Sequence, residues 1–345
     1  MTESLTERER RVLEAVVQSY VETAEPVGSR TVARRFGLGV SPATIRNAMS
    51  DLEEKGLLFH PHTSAGRVPT DRAYRLYVDS LISVPHLSAR QEQRLRVDLL
   101  AEGSAISTVL RRAAQVLSVL TQELGVAVAP SLDTLVLERL ELLSVTSDKL
   151  LLVLTLRTGA VRTIFVEVPG TLHPEAVASI AAVLNDRLAG LTLREIRHTL
   201  PQRVRDSAAT PAESELLDIF VATGDQLFDV PGAAAEEVVL GRTSVLAEQP
   251  EFSSGPQMKE LIELTEQRDV LRQALESRAN AVGLTVTIGN ENESTRLSRL
   301  TLVTAPYRTA GLCGVIGVIG PTRMPYDKVV ALVERTSKLV GDLLK

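Results

Sequence analysis

Residues Ser29 to Thr70 read SRTVARRFGLGVSPATIRNAMSDLEEKGLLFHPHTSAGRVPT, and the order of caps, apolar residues and glycines in this stretch decides the fold of the first part of the chain. In SRTVARRFG, Val32, Ala33 and Phe36 recur at helical spacing, while Arg30, Arg34 and Arg35 fall on the opposite face. Ser29 is placed to cap this helix. Gly37 and Gly39 supply the left-handed backbone of a tight turn. Ser41 caps a second helix, and Pro42 occupies its first turn, where a missing N–H costs nothing. Ile45, Ala48, Met49 and Leu52 form its inward face, which leaves Ala43, Thr44, Arg46, Asn47 and Ser50 pointing outward. Beyond Gly56, Leu57, Leu58 and Phe59 suit a strand, and His62, Thr63, Ser64, Gly66 and Arg67 form the tip of a hairpin. Two helices joined by a tight turn and followed by such a hairpin have the layout of a winged helix-turn-helix, a DNA-reading unit.

Working outward from this layout, the candidate contacts divide by chemistry. Thr44, Arg46 and Asn47, near the helix start at Ser41, are short polar groups and a guanidinium of the kind that reads base edges in a major groove. Ser29, Arg30, Thr31 and Arg34, with the wing residues Ser64 and Arg67, suit phosphates. His62, Thr63 and Gly66 complete the wing, where Arg67 is the leading phosphate or minor-groove candidate. The net charge of −5 argues against a nucleic-acid partner when taken alone. From Ser29 to Arg75, however, eight Lys or Arg stand against four acids, so this segment is locally basic in an otherwise acidic chain. Upstream, Thr6 and Glu9 have capping-box spacing, and Val12, Leu13, Val16, Val17, Tyr20 and Val21 form the stripe of a supporting helix.

The remaining 275 or so residues follow a different pattern, with a length that suits two or three domains in total. Helical patterns cover 71–83 and 88–100, and a strongly amphipathic one carries Ile106, Val109, Leu110, Ala113, Val116, Leu117, Leu120 and Leu124 on one face. From Leu135 to Val168 the sequence is rich in Val, Leu, Ile and Thr, with turn signals at Ser147-Asp148 and Thr158-Gly159, which predicts an antiparallel meander of about three strands. Helices are predicted at 174–193, 213–228, 235–247 and 257–282. Strands return in LTVTIG, RLTLVTAPYR and GLCGVIGVIGP before a final helix over 325–344. Sheet segments separated by a long, mainly helical stretch predict one α+β domain interrupted by an insertion.

Composition and motifs exclude several function classes. The single cysteine, Cys313, rules out an intrachain disulfide and any multi-cysteine zinc site. No apolar run reaches about 18 residues, and the polar N-terminus offers no signal segment, so a cytoplasmic protein with no membrane partner is expected. His60 and His62 form an H-x-H pair without a carboxylate or cysteine at ligand spacing, which argues against a metal. Gly311, Gly314, Gly317 and Gly320 lack phosphate-loop spacing and read as a close-packed strand. His86, His173 and His198 stand without triad partners. Neither a catalytic constellation nor a cofactor site is present, and an enzyme is not expected.

The runs EPVGSRTVARRFGLGVSPATIRNAMSDLEEKG (25–56) and PHTSAGRVPTDRAYRLYVDSL (61–81), with GVIGVIGPTRMPYDKVVALVE (314–334) near the C-terminus, resemble the HrcA family of heat-inducible transcription repressors. Two positions depart from the family pattern: Ala48, where an acid is common, and Ala73, where glycine is common. Neither lies among the outward residues of the reading helix. The resemblance implies a multidomain α+β chain: a winged helix-turn-helix over 1–83, linker helices and the first part of a GAF-like domain over 84–193, an inserted, mainly helical dimerising domain over 194–283, and the second part of the GAF-like domain over 284–345. It further implies a homodimer that binds an inverted-repeat operator upstream of chaperone genes, and the chaperonin GroEL as the partner that keeps the repressor competent. The alternative reading is a small-molecule-sensing regulator that uses the GAF-like domain as its ligand pocket. The sheet segments show no convergent polar set in sequence to mark such a pocket.

Overall fold

Helix α1 (Glu7–Thr23) begins with the reciprocal cap its sequence predicts: Glu9 N donates to Thr6 Oγ1 at 3.2 Å, and Thr6 N donates to the Glu9 carboxylate at 2.7 Å. Helices α2 (Ser29–Phe36) and α3 (Pro42–Glu54) pack on it, followed by the short hairpin β1 (Leu58–Phe59) and β2 (Val68–Pro69). Helix α4 (Asp71–Leu76) continues through a wider turn over Tyr77–Leu81. The computed structural model describes residues 5–62, 65–85, 87–101, 106–130, 135–146, 148–159, 161–168, 173–205, 207–228, 238–279, 281–309 and 312–344.

The chain divides into two compact units. The first takes residues 1–129, 238–307 and 314–345, and the second takes 130–237 with the short segment 308–313. In the first unit, the winged-helix elements share one hydrophobic core with α5 (Ala89–Leu100), α6 (Ile106–Thr121) and the terminal helix α13 (Tyr326–Leu343). Its five-stranded sheet has the order β7-β3-β10-β9-β8, built from β3 (Leu124–Val128), β7 (Val238–Leu240), β8 (Thr285–Ile288), β9 (Leu300–Thr309) and β10 (Leu312–Pro321). The pairings of β3 with β7, β3 with β10 and β8 with β9 are antiparallel. Three further helices, α10 (Ser244–Ala247), α11 (Gly255–Glu266) and α12 (Arg268–Glu276), follow β7.

The second unit is the predicted meander, β4 (Leu137–Thr146), β5 (Lys149–Leu156) and β6 (Val161–Glu167), with helices α7 (Pro174–Leu188), α8 (Leu193–Val204) and α9 (Pro211–Phe228). Leu140, Leu142, Leu152 and Leu154 on one sheet face share a core with Ile180, Leu184, Ile196 and Phe220 from the helices.

Four expectations are corrected. The compact excursion runs over 130–237, not 194–283, and it brings its own three-stranded sheet instead of lending those strands to the C-terminal ones. The physical reason is that the meander's apolar face is already satisfied by the helices that follow it directly. Leu124 belongs to strand β3, not to the preceding helix, and Val238–Leu240 is a strand where a helix over 235–247 is predicted. The helix predicted over 257–282 is two helices, because Gln267 leaves helical geometry at φ −85°, ψ 69°. The glycines of β10 do mark close packing: Gly314 lies against the Tyr307 ring, Gly317 against the Val303 carbonyl and Gly320 against the Glu123 carboxylate.

Helix α6 lies close enough to the sheet that a Cβ on Gly125 or Gly241 would come within 2.0 or 2.4 Å of the Ala114 carbonyl. At this approach Ser118, fully buried, ties the helix to two strands' ends at once. Its hydroxyl donates to Ala114 O at 3.1 Å and accepts from Gly125 N at 2.8 Å and Arg242 N at 3.1 Å. Ser118→Ala is expected to leave those two amides unsatisfied in the interior, at a cost of roughly 1–3 kcal/mol. Chemical denaturation of the purified variant checks this; an unchanged midpoint would mean the hydroxyl is dispensable.

Candidate nucleic-acid interface

The start of α3 forms as its sequence predicts. Ser41 Oγ accepts from Thr44 N at 3.2 Å and lies 3.0 Å from Thr44 Oγ1, so the half-buried Thr44 hydroxyl is engaged with the cap. Ile45, Ala48, Met49 and Leu52 are buried, and Ala43, Arg46, Asn47 and Ser50 are exposed. Among the described residues, nothing pairs with the side chains of Arg46 or Asn47. On α2, Arg30, Thr31 and Arg34 are exposed. Arg35 is engaged instead: it pairs with Glu22 and stands 5.6 Å over the Phe36 ring. The two helices thus leave three guanidiniums, at 30, 34 and 46, free of intramolecular ion pairs among the described residues.

Ser29 is placed otherwise than expected. Gly28 is the N-cap of α2, without a side-chain bond, and Ser29 is the first helical residue and buried. A buried hydroxyl is poorly disposed to hold a phosphate. The wing departs from expectation in the same way. Arg67 lies at its base, not its tip, and its backbone exchanges hydrogen bonds with Val27 at 2.8 and 2.9 Å. Its side chain is only 13% exposed and pairs with Glu53 Oε2 at 2.8 Å, while His60 Nδ1 bonds Glu53 Oε1 at 2.8 Å. One carboxylate on α3 therefore clamps both strands of the wing. His60, the first residue of the H-x-H pair, has this structural use. His62 is exposed, and Thr63 and Ser64 lie outside the described residues.

Glu53 is the residue that sequence reading missed, since nothing local connects position 53 with positions 60 and 67. A second missed contact orients α3 from behind. Lys55 Nζ donates to the Glu9 carboxylate at 2.6 Å, and this bond holds Glu9 below the usual carboxylate range despite its burial. This bond ties the end of α3 to the start of α1, while Ala43, Arg46, Asn47 and Ser50 stay exposed on α3.

Gly66 sits where the wing crosses the loop before α2. A Cβ there would fall 2.5 Å from the Val27 carbonyl carbon and oxygen, so the close backbone approach requires glycine. Gly66→Ala is expected to push the wing off that loop and to lower stability by roughly 1–3 kcal/mol. Thermal unfolding, with amide exchange at Val27 and Arg67 as the local readout, checks it; retained protection at both amides would overturn the assignment.

Comparison with known proteins agrees with this geometry. A family model described as winged helix-turn-helix transcription repressor, HrcA DNA-binding, matches residues 4–80, and one described as HrcA protein C terminal domain matches residues 107–330. The heat-inducible transcription repressor HrcA of Chlorobium limicola is 38% identical over 341 residues, covering 95% of this chain and 94% of that protein. The protein of the same name from Geobacter sulfurreducens is 37% identical over 344 residues, covering 99% and 98%. A crystal structure of a hypothetical protein at 2.2 Å resolution shares the fold with a TM-score of 0.61 at 23% identity, covering 99% of each chain. With both models and near full-length relatives in agreement, the chain belongs to the HrcA family of heat-inducible transcription repressors.

Proposed function

We propose that this chain represses chaperone operons by binding an inverted-repeat operator as a homodimer, with the chaperonin GroEL holding it in a competent state. The observation that carries the DNA-reading part is that Arg46 and Asn47 on α3 are exposed and have no side-chain partner among the described residues, with Arg30 and Arg34 on α2 beside them. Arg46 and Asn47 face base edges. Arg30, Thr31 and Arg34 hold phosphates, with Ser41, Thr44 and His62 at the margins and Arg67 acting indirectly through the wing. A single helix-turn-helix reads a short half-site, so useful specificity calls for two copies in a symmetric pair.

The dimer reading is supported by the second unit. On the sheet face away from its helices, the register aligns Leu143, Leu151 and Phe165 in one row across β4, β5 and β6. Leu143 is 50% and Phe165 67% exposed, with Val145 and Val161 beside them. An apolar row of this kind on an open sheet face is the usual mark of an association surface, and a second copy of the same face is self-complementary about a twofold axis. The chaperonin part rests on the family resemblance and on the heat-inducible character in the relatives' names.

Footprinting of the purified protein on DNA upstream of chaperone operons is expected to show protection of an inverted repeat; no protected repeat would overturn the proposal. For Arg46→Ala, operator affinity is expected to fall by about 1–3 kcal/mol at fixed salt with association state unchanged, measured by fluorescence anisotropy. For Phe165→Asp, sedimentation velocity is expected to show monomers where the parent protein sediments as dimers. An unaltered dimer would move the interface elsewhere.

A further inference from the structure

Helices α5, α6 and α13 enclose a groove of about 820 Å³ in the first unit, within the range of a small-molecule site. Its walls are aliphatic: Leu95 and Leu332 form buried floor, and Val116, Val119 and Leu120 line the sides. Val119 and Leu120 remain substantially exposed on α6, a cost the fold bears unless something covers them. Around this apolar trough stand four cations from four segments of chain: Arg94 on α5, Arg112 on α6, Arg242 after β7 and Lys328 on α13. Asp98 is the single acid among the described lining residues.

The charge here is opposite in sign to the net charge of the chain. The described lining residues carry a surplus of three positive charges in a chain whose net charge is −5. Arg112 is held in place, its Nε donating to Asp98 O at 3.2 Å and its Nη1 to Gln115 Oε1 at 3.3 Å. Arg94, Arg242 and Lys328 have no ion-pair partner among the described residues. Cations that converge on an apolar trough without internal counterions complement a ligand with a long apolar body and one anionic end. The described lining residues include no aromatic ring, which disfavours a nucleobase or an aryl acid, since both are ordinarily gripped by stacking.

We infer that this groove is a binding site for an aliphatic monocarboxylate of fatty-acid type, with the chain along Leu95, Val116, Leu120 and Leu332 and the carboxylate among Arg94, Arg242 and Lys328. The site is separate from the DNA-reading face and does not depend on the operator proposed above. It gives the first unit a ligand chemistry that no stretch of the sequence displays, because its cations are spread over positions 94 to 328.

The test uses the full chain and dodecanoate, below its critical micelle concentration, with 1-dodecanol and dodecyltrimethylammonium as matched controls. Calorimetric titration is expected to show saturable binding of one dodecanoate per chain, roughly tenfold tighter than dodecanol, with the cationic amphiphile weakest. The double variant Arg94→Glu, Lys328→Glu alters two exposed side chains. It is expected to weaken dodecanoate at least about fivefold while leaving dodecanol binding and the melting temperature unchanged. Leu120→Glu, which puts an acid into the trough, is expected to abolish dodecanoate binding with the circular dichroism spectrum retained. Equal affinity for all three amphiphiles, absence of saturation, or indifference to the charge reversal would each overturn the assignment. So would a change in sedimentation of the charge-reversed variant with dodecanoate binding intact, which would identify the groove as a protein interface.

Discussion

The pairing of β3 with both β7 and β10 is the constraint on which the rest of the structure depends. Val128 stands opposite Val238 on one side and Val315 on the other, so residues more than one hundred and nearly two hundred positions away are stitched to the same five-residue strand. Such pairings carry a large loop-closure entropy, which is offset only when much else is buried with them. Here the stitch is reinforced by Ser118, whose hydroxyl accepts an amide from the start of β3 and another from just past β7. With both ends of the excursion over 130–237 brought to adjacent strands, that excursion folds around its own core without disturbing the sheet it leaves.

The same unit anchors the DNA-reading elements. Arg75, on α4, donates to Glu291 at 2.5 Å and to the Val286 carbonyl at 2.6 Å, and its guanidinium also bonds Asp79. Arg323 makes a two-pronged pair with Glu251 at 2.5 and 2.9 Å and donates to the carbonyl of Val21 near the end of α1 at 2.7 Å. Between these clamps the rings of Tyr74 and Tyr326 lie 5.7 Å apart, both buried. Glu123, buried beside Gly320, is pushed well above the ordinary carboxylate range by desolvation, which favours its neutral form. These clamps tie α1 and α4, which flank the reading helices in sequence, to the rest of the first unit.

Much of the local structure was legible in the sequence. The caps at Thr6 and Ser41, the turn at Gly37 to Gly39, the inward faces of α1 and α3, and the three strands between 137 and 167 all depend on contacts within a few residues. Periodicity and side-chain chemistry report such contacts directly. The outward placement of Arg30, Arg34, Arg46 and Asn47 was legible for the same reason. The places of Ser29 and Arg67 are not written locally, because their surroundings are set at a distance, by the enclosing of the α2 start and by Glu53 on the neighbouring helix.

Taken by itself, then, the sequence determined a winged helix-turn-helix with a basic reading face, an aliphatic meander and a closing set of strands, since each is written in short-range spacing. Tertiary structure alone decided which strands share a sheet, where the excursion begins and ends, that Arg67 braces the wing from within, and that four dispersed cations meet over one apolar groove. The reason is common to all four. Strand partners, ion pairs and pocket walls join residues tens to hundreds of positions apart, and the burial that selects among possible partners exists only once the whole unit has closed.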